Sequence, residues 1–117
     1  MKSVKSVNQL KISENDRKAV LAASKMLTAL FPAKEIILFG SKARGDDDDE
    51  SDIDFLLLTS RPISWEERKA VNDALFEFEM SYNVVISTLI ATEQEWYEGT
   101  FSVMPIFSEV ETDGIVI

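Results

Sequence analysis

Two short apolar runs, Ile36-Ile37-Leu38-Phe39 and Phe55-Leu56-Leu57-Leu58, constrain this chain more than anything else in it. Neither alternates with polar residues, as a strand with one face in water does. Each reads as a strand buried on both sides, and such a strand needs helices to cover it. The connection between them is basic and then acidic: Gly40-Ser41-Lys42-Ala43-Arg44-Gly45, then Asp46-Asp47-Asp48-Asp49-Glu50, closing on Ser51-Asp52-Ile53-Asp54. One strand therefore leads out through Gly-Ser, and the other leads in through Asp-Ile-Asp.

Successive side chains in a strand point to opposite faces, so Asp52 and Asp54 share a face that Ile53 does not. Two carboxylates so placed lie roughly 6.6 Å apart. At an effective dielectric of 20 they repel by about 2.5 kcal/mol. A hard divalent cation, Mg²⁺ or Mn²⁺, relieves that repulsion and prefers oxygen ligands with room for phosphate and water. Gly40 lets a backbone approach a ligand closely, and Ser41 offers a hydroxyl and an amide. If the turn opens into a short helix at Ser41-Lys42-Ala43, its amides face an anion, and Lys42 and Arg44 add positive charge. The plainer alternative is a hairpin-like connection with a solvated acidic tip, since Gly-Ser and Asp-x-Asp are each common.

Gly40-Ser41, ten residues, then Asp52-Ile53-Asp54 resembles the signature of the nucleotidyltransferase superfamily that includes DNA polymerase beta. The fuller string GSKARGDDDDESDIDFLLL is similar to the minimal nucleotidyltransferases, small stand-alone members of that superfamily. The resemblance spans residues 13–117 and is carried by residues 40–54. It implies a palm-like core with a mixed sheet and the active site on an open sheet face. It implies Asp52 and Asp54 as catalytic residues and ligands of Mg²⁺ (or Mn²⁺), with Gly40, Ser41, Lys42 and Arg44 binding the nucleotide. The implied substrate is an NTP, ATP first, with AMP passing to a hydroxyl on a protein or small molecule. It also implies the antitoxin role that such proteins take beside HEPN-type toxins.

One departure stands out. In catalytic members a third carboxylate lies on the strand after the second long helix, and here that strand reads Val84-Val85-Ile86-Ser87. A neutral serine hydroxyl does not replace a carboxylate as metal ligand or base. Two readings stay open: a nucleotidyltransferase in which Glu77, Glu79 or an acid of the 46–50 run substitutes, and an impaired module that binds a nucleotide or a partner without transfer. The 46–50 run itself reads as a solvated loop, or as an extra metal cradle or contact for a basic partner.

The net charge of −9 argues against a nucleic-acid backbone as partner, because Lys and Arg must supply the counter-charge. The chain lacks cysteine and histidine, which removes disulfides, thiolate chemistry and His-based catalysis. No apolar run approaches the roughly 20 residues of a membrane span and no secretory leader is visible, so a cytoplasmic protein is expected.

Residues 1–12 read as a flexible arm with a short extended piece at Leu10-Lys11-Ile12, and 13–117 as one domain. Ser13-Glu14-Asn15-Asp16 opens a helix whose core face carries Val20, Leu21, Ala23, Met26, Leu27 and Leu30, closed before Pro32. Ser64-Trp65-Glu66-Glu67 opens a second, with Val71, Ala74, Leu75 and Phe78 on one stripe, ending at Tyr82-Asn83. Residues 84–90 form a third strand, and Thr92-Glu93-Gln94-Glu95 caps a short helix stopped by Gly99. A last helix covers 103–111 with Pro105 in its first turn, and Asp113-Gly114 turns into a terminal strand. Trp96, Phe101 and Phe107 read as core or edge packing, with a partner surface as the alternative. The sum is an α/β (α+β) fold: a mixed sheet of three to five strands packed against helices. A homodimer through a free sheet edge fits so small a sheet.

Overall fold

The computed structural model describes residues 9–46 and 52–117. Asp47 to Ser51, with most of the acidic run, and residues 1–8 lie outside them. Within the stretch expected to be a loose arm, Leu10 is buried in the core, and its carbonyl accepts from Arg17. Leu10-Lys11-Ile12 bends and does not extend.

The sheet has four strands in the order β3-β2-β1-β4, with β1 Ala33–Phe39, β2 Ile53–Thr59, β3 Ile86–Thr92 and β4 Ile115–Val116. β1 pairs antiparallel with both β2 and β4, whereas β2 and β3 run parallel. The parallel pair is joined by helix α3, Trp65–Tyr82, because parallel neighbours need a crossover. All of β2 except Asp54 is buried, as its unbroken apolar run requires.

Helix α1, Glu14–Leu30, starts where the Ser13 side chain accepts from the Asp16 amide. α3 starts on a full capping box between Ser64 and Glu67, with Arg61 bound to the Glu67 carboxylate. The Arg61 guanidinium and the Ser64 amide hold the Glu67 carboxyl down at about 2. α3 stops at Asn83, whose left-handed φ of 54° suits an asparagine cap. Both helices cover one sheet face: Ala19, Val20, Ala23 and Leu27 of α1 and Val71 and Leu75 of α3 pack on Ile36, Leu38, Ile53, Phe55 and Leu57. Leu21 and Leu30, expected in that core, are exposed, as is Trp65 at the start of α3.

The other face departs from the expectation of an open sheet. Helix α4 (Glu93–Tyr97), a 3₁₀ turn at Thr100–Val103 and helix α5 (Pro105–Asp113) fold back across it. α4 begins on the expected Thr92–Glu95 capping box, and α5 on Pro105. The expected helix over 103–111 is thus a 3₁₀ turn followed by α5. Trp96 is fully buried against Ile37, Leu56, Leu58, Ala91 and Val110, with the Phe101 and Phe107 rings 5.8 and 5.2 Å away. These aromatics are core, not a partner surface. No helix among the described residues is long and apolar enough to cross a membrane.

Candidate functional site

The face that Trp96 and α5 cover includes Leu56 and Leu58 of β2, and alternation puts Asp54 on that same face. Asp52 stands just before β2. Beside Asp54 in register are Phe39 on β1 and Ser87 on β3. Ser87 Oγ donates to Asp52 Oδ2 at 3.1 Å, so Asp52, Asp54 and Ser87 converge. Burial, the Asp52 charge and Glu109 all push the Asp54 carboxyl upward, and Arg44 offsets part of that rise.

Gly40 follows β1 directly and begins helix α2, Ser41–Arg44. Its φ of 78° and ψ of −160° lie in a region open to almost no residue but glycine. A Cβ there would run into Asp54 Oδ2. Gly40 thus serves both the turn and the carboxylate beside it, which ties the Gly-Ser and Asp-x-Asp halves of the sequence together. Its carbonyl accepts from the Ala43 and Arg44 amides, and Gly45 closes the helix in the left-handed region.

The two basic residues of the motif part company. Lys42 is 2 % exposed, and its Nζ lies 2.7 Å from Asp16 Oδ2 on α1. Its ammonium therefore has a carboxylate partner on the helix of the opposite sheet face, whereas the sequence reading grouped it with Gly40 and Ser41 at a nucleotide. Arg44 stays on the site's side, paired with Asp46 at 3.2 Å and with Glu109 of α5 at 3.6 Å. Of the acids considered as substitutes for a third carboxylate, Glu79 accepts from the Ile86 amide at 3.0 Å, and Glu77 is exposed on α3. Glu109 is the acid whose charge reaches Asp54 from another element, and nothing in the local sequence marks it. Among the described residues no three acids come together to hold a metal by themselves.

The crowded, half-buried pair makes a stability prediction. Asp54→Asn removes one of two repelling carboxylates and is expected to stabilise the chain by about 1 kcal/mol after solvent screening. That raises Tm by roughly 4 °C. The Asp54 pKa is raised in the folded state, so its ionisation opposes folding. The advantage of Asn is therefore full above the folded-state pKa and disappears as pH falls below the ordinary value of 3.8. Melting curves from pH 7 to pH 3 check both the size and the pH window.

Residues 22–105 match the nucleotidyltransferase domain family. Two proteins of Methanocaldococcus jannaschii, each named "putative protein adenylyltransferase", are similar in sequence. One is 34% identical over 82 residues, covering 70% of this chain and 76% of that protein. The other is 39% identical over 61 residues, covering 52% and 56%. In fold, the chain is similar to a "putative nucleotidyltransferase" from Sulfolobus solfataricus, with a TM-score of 0.56 at 21% identity over 99% of this chain and 89% of that one. It is also similar to a chain of a toxin–antitoxin complex with AMP-PNP, with a TM-score of 0.58 at 15% identity over 89% and 72%.

Proposed function

The chain belongs to the nucleotidyltransferase domain family, and from that premise we propose that it moves an NMP group, AMP by preference, from an NTP to a hydroxyl on a protein. The observation that carries this reading is the packing of Gly40 against Asp54, which brings the Gly40-Ser41 turn onto the Asp52–Asp54 pair. Phosphate-approaching backbone and cation-attracting carboxylates then occupy one place. The relatives named as protein adenylyltransferases support AMP and a protein acceptor. The similarity to a toxin–antitoxin chain supports action beside a partner protein, with a HEPN-type toxin as the candidate.

The residues present suit a hard divalent ion. Two carboxylates and the hydroxyls of Ser41 and Ser87 are oxygen donors, and the chain offers no His or Cys to favour a softer metal. Asp52 and Asp54 would hold Mg²⁺ or Mn²⁺, which supplies positive charge to the triphosphate and to the departing pyrophosphate. Gly40 and Ser41 receive the β- and γ-phosphates, and Arg44 can leave its exposed carboxylate partners for a phosphate oxygen. The acceptor oxygen bonds to the α-phosphorus while the bond from that phosphorus to the β-phosphate oxygen breaks. Pyrophosphate takes the electron pair, and the acceptor proton passes to water, since β3 presents Ser87 to the pair and not a carboxylate. That same serine favours a second reading, a chain that holds the nucleotide without transferring it.

Calorimetry with ATP and Mg²⁺ tests the site, comparing the chain with its Asp52→Ala, Asp54→Ala variant. Binding that the double variant weakens by at least about tenfold, equivalent to 1.4 kcal/mol, is expected. No binding by the unaltered chain to any Mg-NTP overturns both readings. Incorporation of labelled AMP into a partner protein then separates transfer from binding alone.

A further inference from the structure

Strand β3 ends the sheet on one side, and β2 is its one neighbour among the described residues. The strand at the opposite end, β4, is two residues long, so β3 is the long open edge. Edge strands are commonly guarded by a charge, a proline or a bulge, because their unpaired amides and carbonyls invite another strand. Ile86–Thr92 carries no charged residue and no proline, and it pairs with β2 in unbroken register.

One hydrogen bond fixes which backbone groups point outward. The Ile53 amide of β2 donates to the Val85 carbonyl, so Val85, Ser87, Leu89 and Ala91 turn toward β2. Ile86, Thr88, Ile90 and Thr92 turn away. Both ends of that outward row are closed from within the chain: Glu79 of α3 accepts from the Ile86 amide at 3.0 Å, and Glu95 of α4 from the Thr92 amide at 2.9 Å. Between them, the N–H and C=O groups of Thr88 and Ile90 take no hydrogen-bond partner among the described residues. The reach of Glu79 to Ile86 puts its side of α3 over this edge. Phe76, one turn earlier on that side, is 58% exposed, and Val85 at the start of the strand is 54% exposed.

We propose that the Thr88–Ile90 edge of β3 is a docking site for an extended segment of a partner protein that carries a basic residue at each end. The segment adds as a fifth strand. Thr88 and Ile90 supply four main-chain hydrogen-bonding groups, and Phe76 and Val85 offer apolar contact to its side chains. Each flanking carboxylate gives one oxygen to a backbone amide and keeps the other for a Lys or Arg. The six-residue rise from Ile86 to Thr92 is about 20 Å, which sets the spacing of the two bases. A second copy of this chain would bring the same acids and another net charge of −9 to the edge, so electrostatics favours a basic partner over self-pairing. Docking here requires no nucleotide and stands or falls separately from the transfer reading.

The probe is a capped peptide with a Lys at each end of an alternating Val-Thr core, long enough to span about 20 Å, and its control carries Glu at both ends. Amide hydrogen exchange, followed by NMR on the full chain, reads the edge. In the dilute free chain the Thr88 and Ile90 amides are expected to exchange rapidly, and the Lys peptide to slow them at least about tenfold. The Glu peptide is expected to bind at least about tenfold more weakly. Thr88→Pro removes one outward N–H where an edge strand tolerates proline, and should abolish protection at Ile90. No slowing by the Lys peptide at millimolar concentration overturns the proposal, as does slowing that survives in Thr88→Pro. Slow exchange in the dilute free chain means that the chain covers its own edge, and overturns it too. Slowing that grows with chain concentration in the absence of peptide makes a second copy the occupant instead. Equal slowing by the two peptides overturns the requirement for basic ends. Should Thr88→Pro fail to fold, Glu79→Gln combined with Glu95→Gln keeps an oxygen on each amide and is expected to erase the preference for the Lys peptide; a preference that persists there overturns the role given to the two carboxylates.

Discussion

Gly40→Ala is expected to destabilise the chain by about 3 kcal/mol, lowering Tm by roughly 12 °C, and to abolish Mg-ATP binding. Two independent costs combine. The φ of 78° with ψ of −160° is closed to residues with a Cβ, which alone costs roughly 1–3 kcal/mol. The added methyl then strikes Asp54 Oδ2, and β2 is buried and paired on both sides, so its backbone has little freedom to yield. The Asp54 side chain must turn away, and the carboxylate pair opens. Gly45→Ala is the control. Its φ of 80° also favours glycine, but among the described residues its Cβ would meet only the Lys11 side chain at 3.6 Å, an ordinary contact. It is expected to cost about 1 kcal/mol and to leave nucleotide binding in place. Equal loss of binding in both variants would mean that the turn as a whole matters and the Gly40–Asp54 contact does not.

Lys42→Met is the second large effect. It leaves the Asp16 carboxylate, only 13% exposed, without its ammonium partner, and breaking a buried pair from one side costs about 3–5 kcal/mol. The low end, about 3 kcal/mol, is expected because Asp16 also sits in the first turn of α1, where the helix dipole favours a negative charge. Urea denaturation of Lys42→Met, of Asp16→Leu and of the double variant measures the coupling. The double variant is expected to recover most of the loss, since an apolar pair of similar volume does not leave a lone charge buried. Lys42→Met should bind Mg-ATP as the unaltered chain does under conditions where it is folded. A tenfold loss of affinity there would place the ammonium at the phosphates after all.

These two residues also mark the limit of what the sequence revealed. Helix starts were legible at Ser13, Ser64 and Thr92 because each cap is made within three residues of itself. The strand pair was legible because burial on both faces leaves an unbroken apolar run. The nearness of Gly40 and Asp54 followed from two strands facing across one connection. The burial of Lys42 was not legible, because it reads as one more cation beside Arg44, and its carboxylate partner lies 26 residues earlier. The apolar runs call for cover on both faces, but which segments cover the second was not legible: Trp96 and Val110 are core only because the chain folds back over the sheet. Leu30 is the last residue of α1, beyond the core, and Leu21 lies about 100° round the helix from Val20, at the edge of the buried stripe, so both face solvent. The Arg44–Glu109 pair joins α2 to α5 through space alone.

The chain has two tryptophans, and the fold places them in opposite surroundings. Trp96 is sealed between phenylalanine rings under α5, whereas Trp65 is 72% exposed at the first residue of α3. Their emission should therefore separate into a blue and a red component. Water-borne quenchers should reach only the red one. Loosening of α4 and α5 from the sheet would then register as a red shift of the buried component alone, and the molecule carries its own optical gauge of whether the roof beside Asp54 is closed.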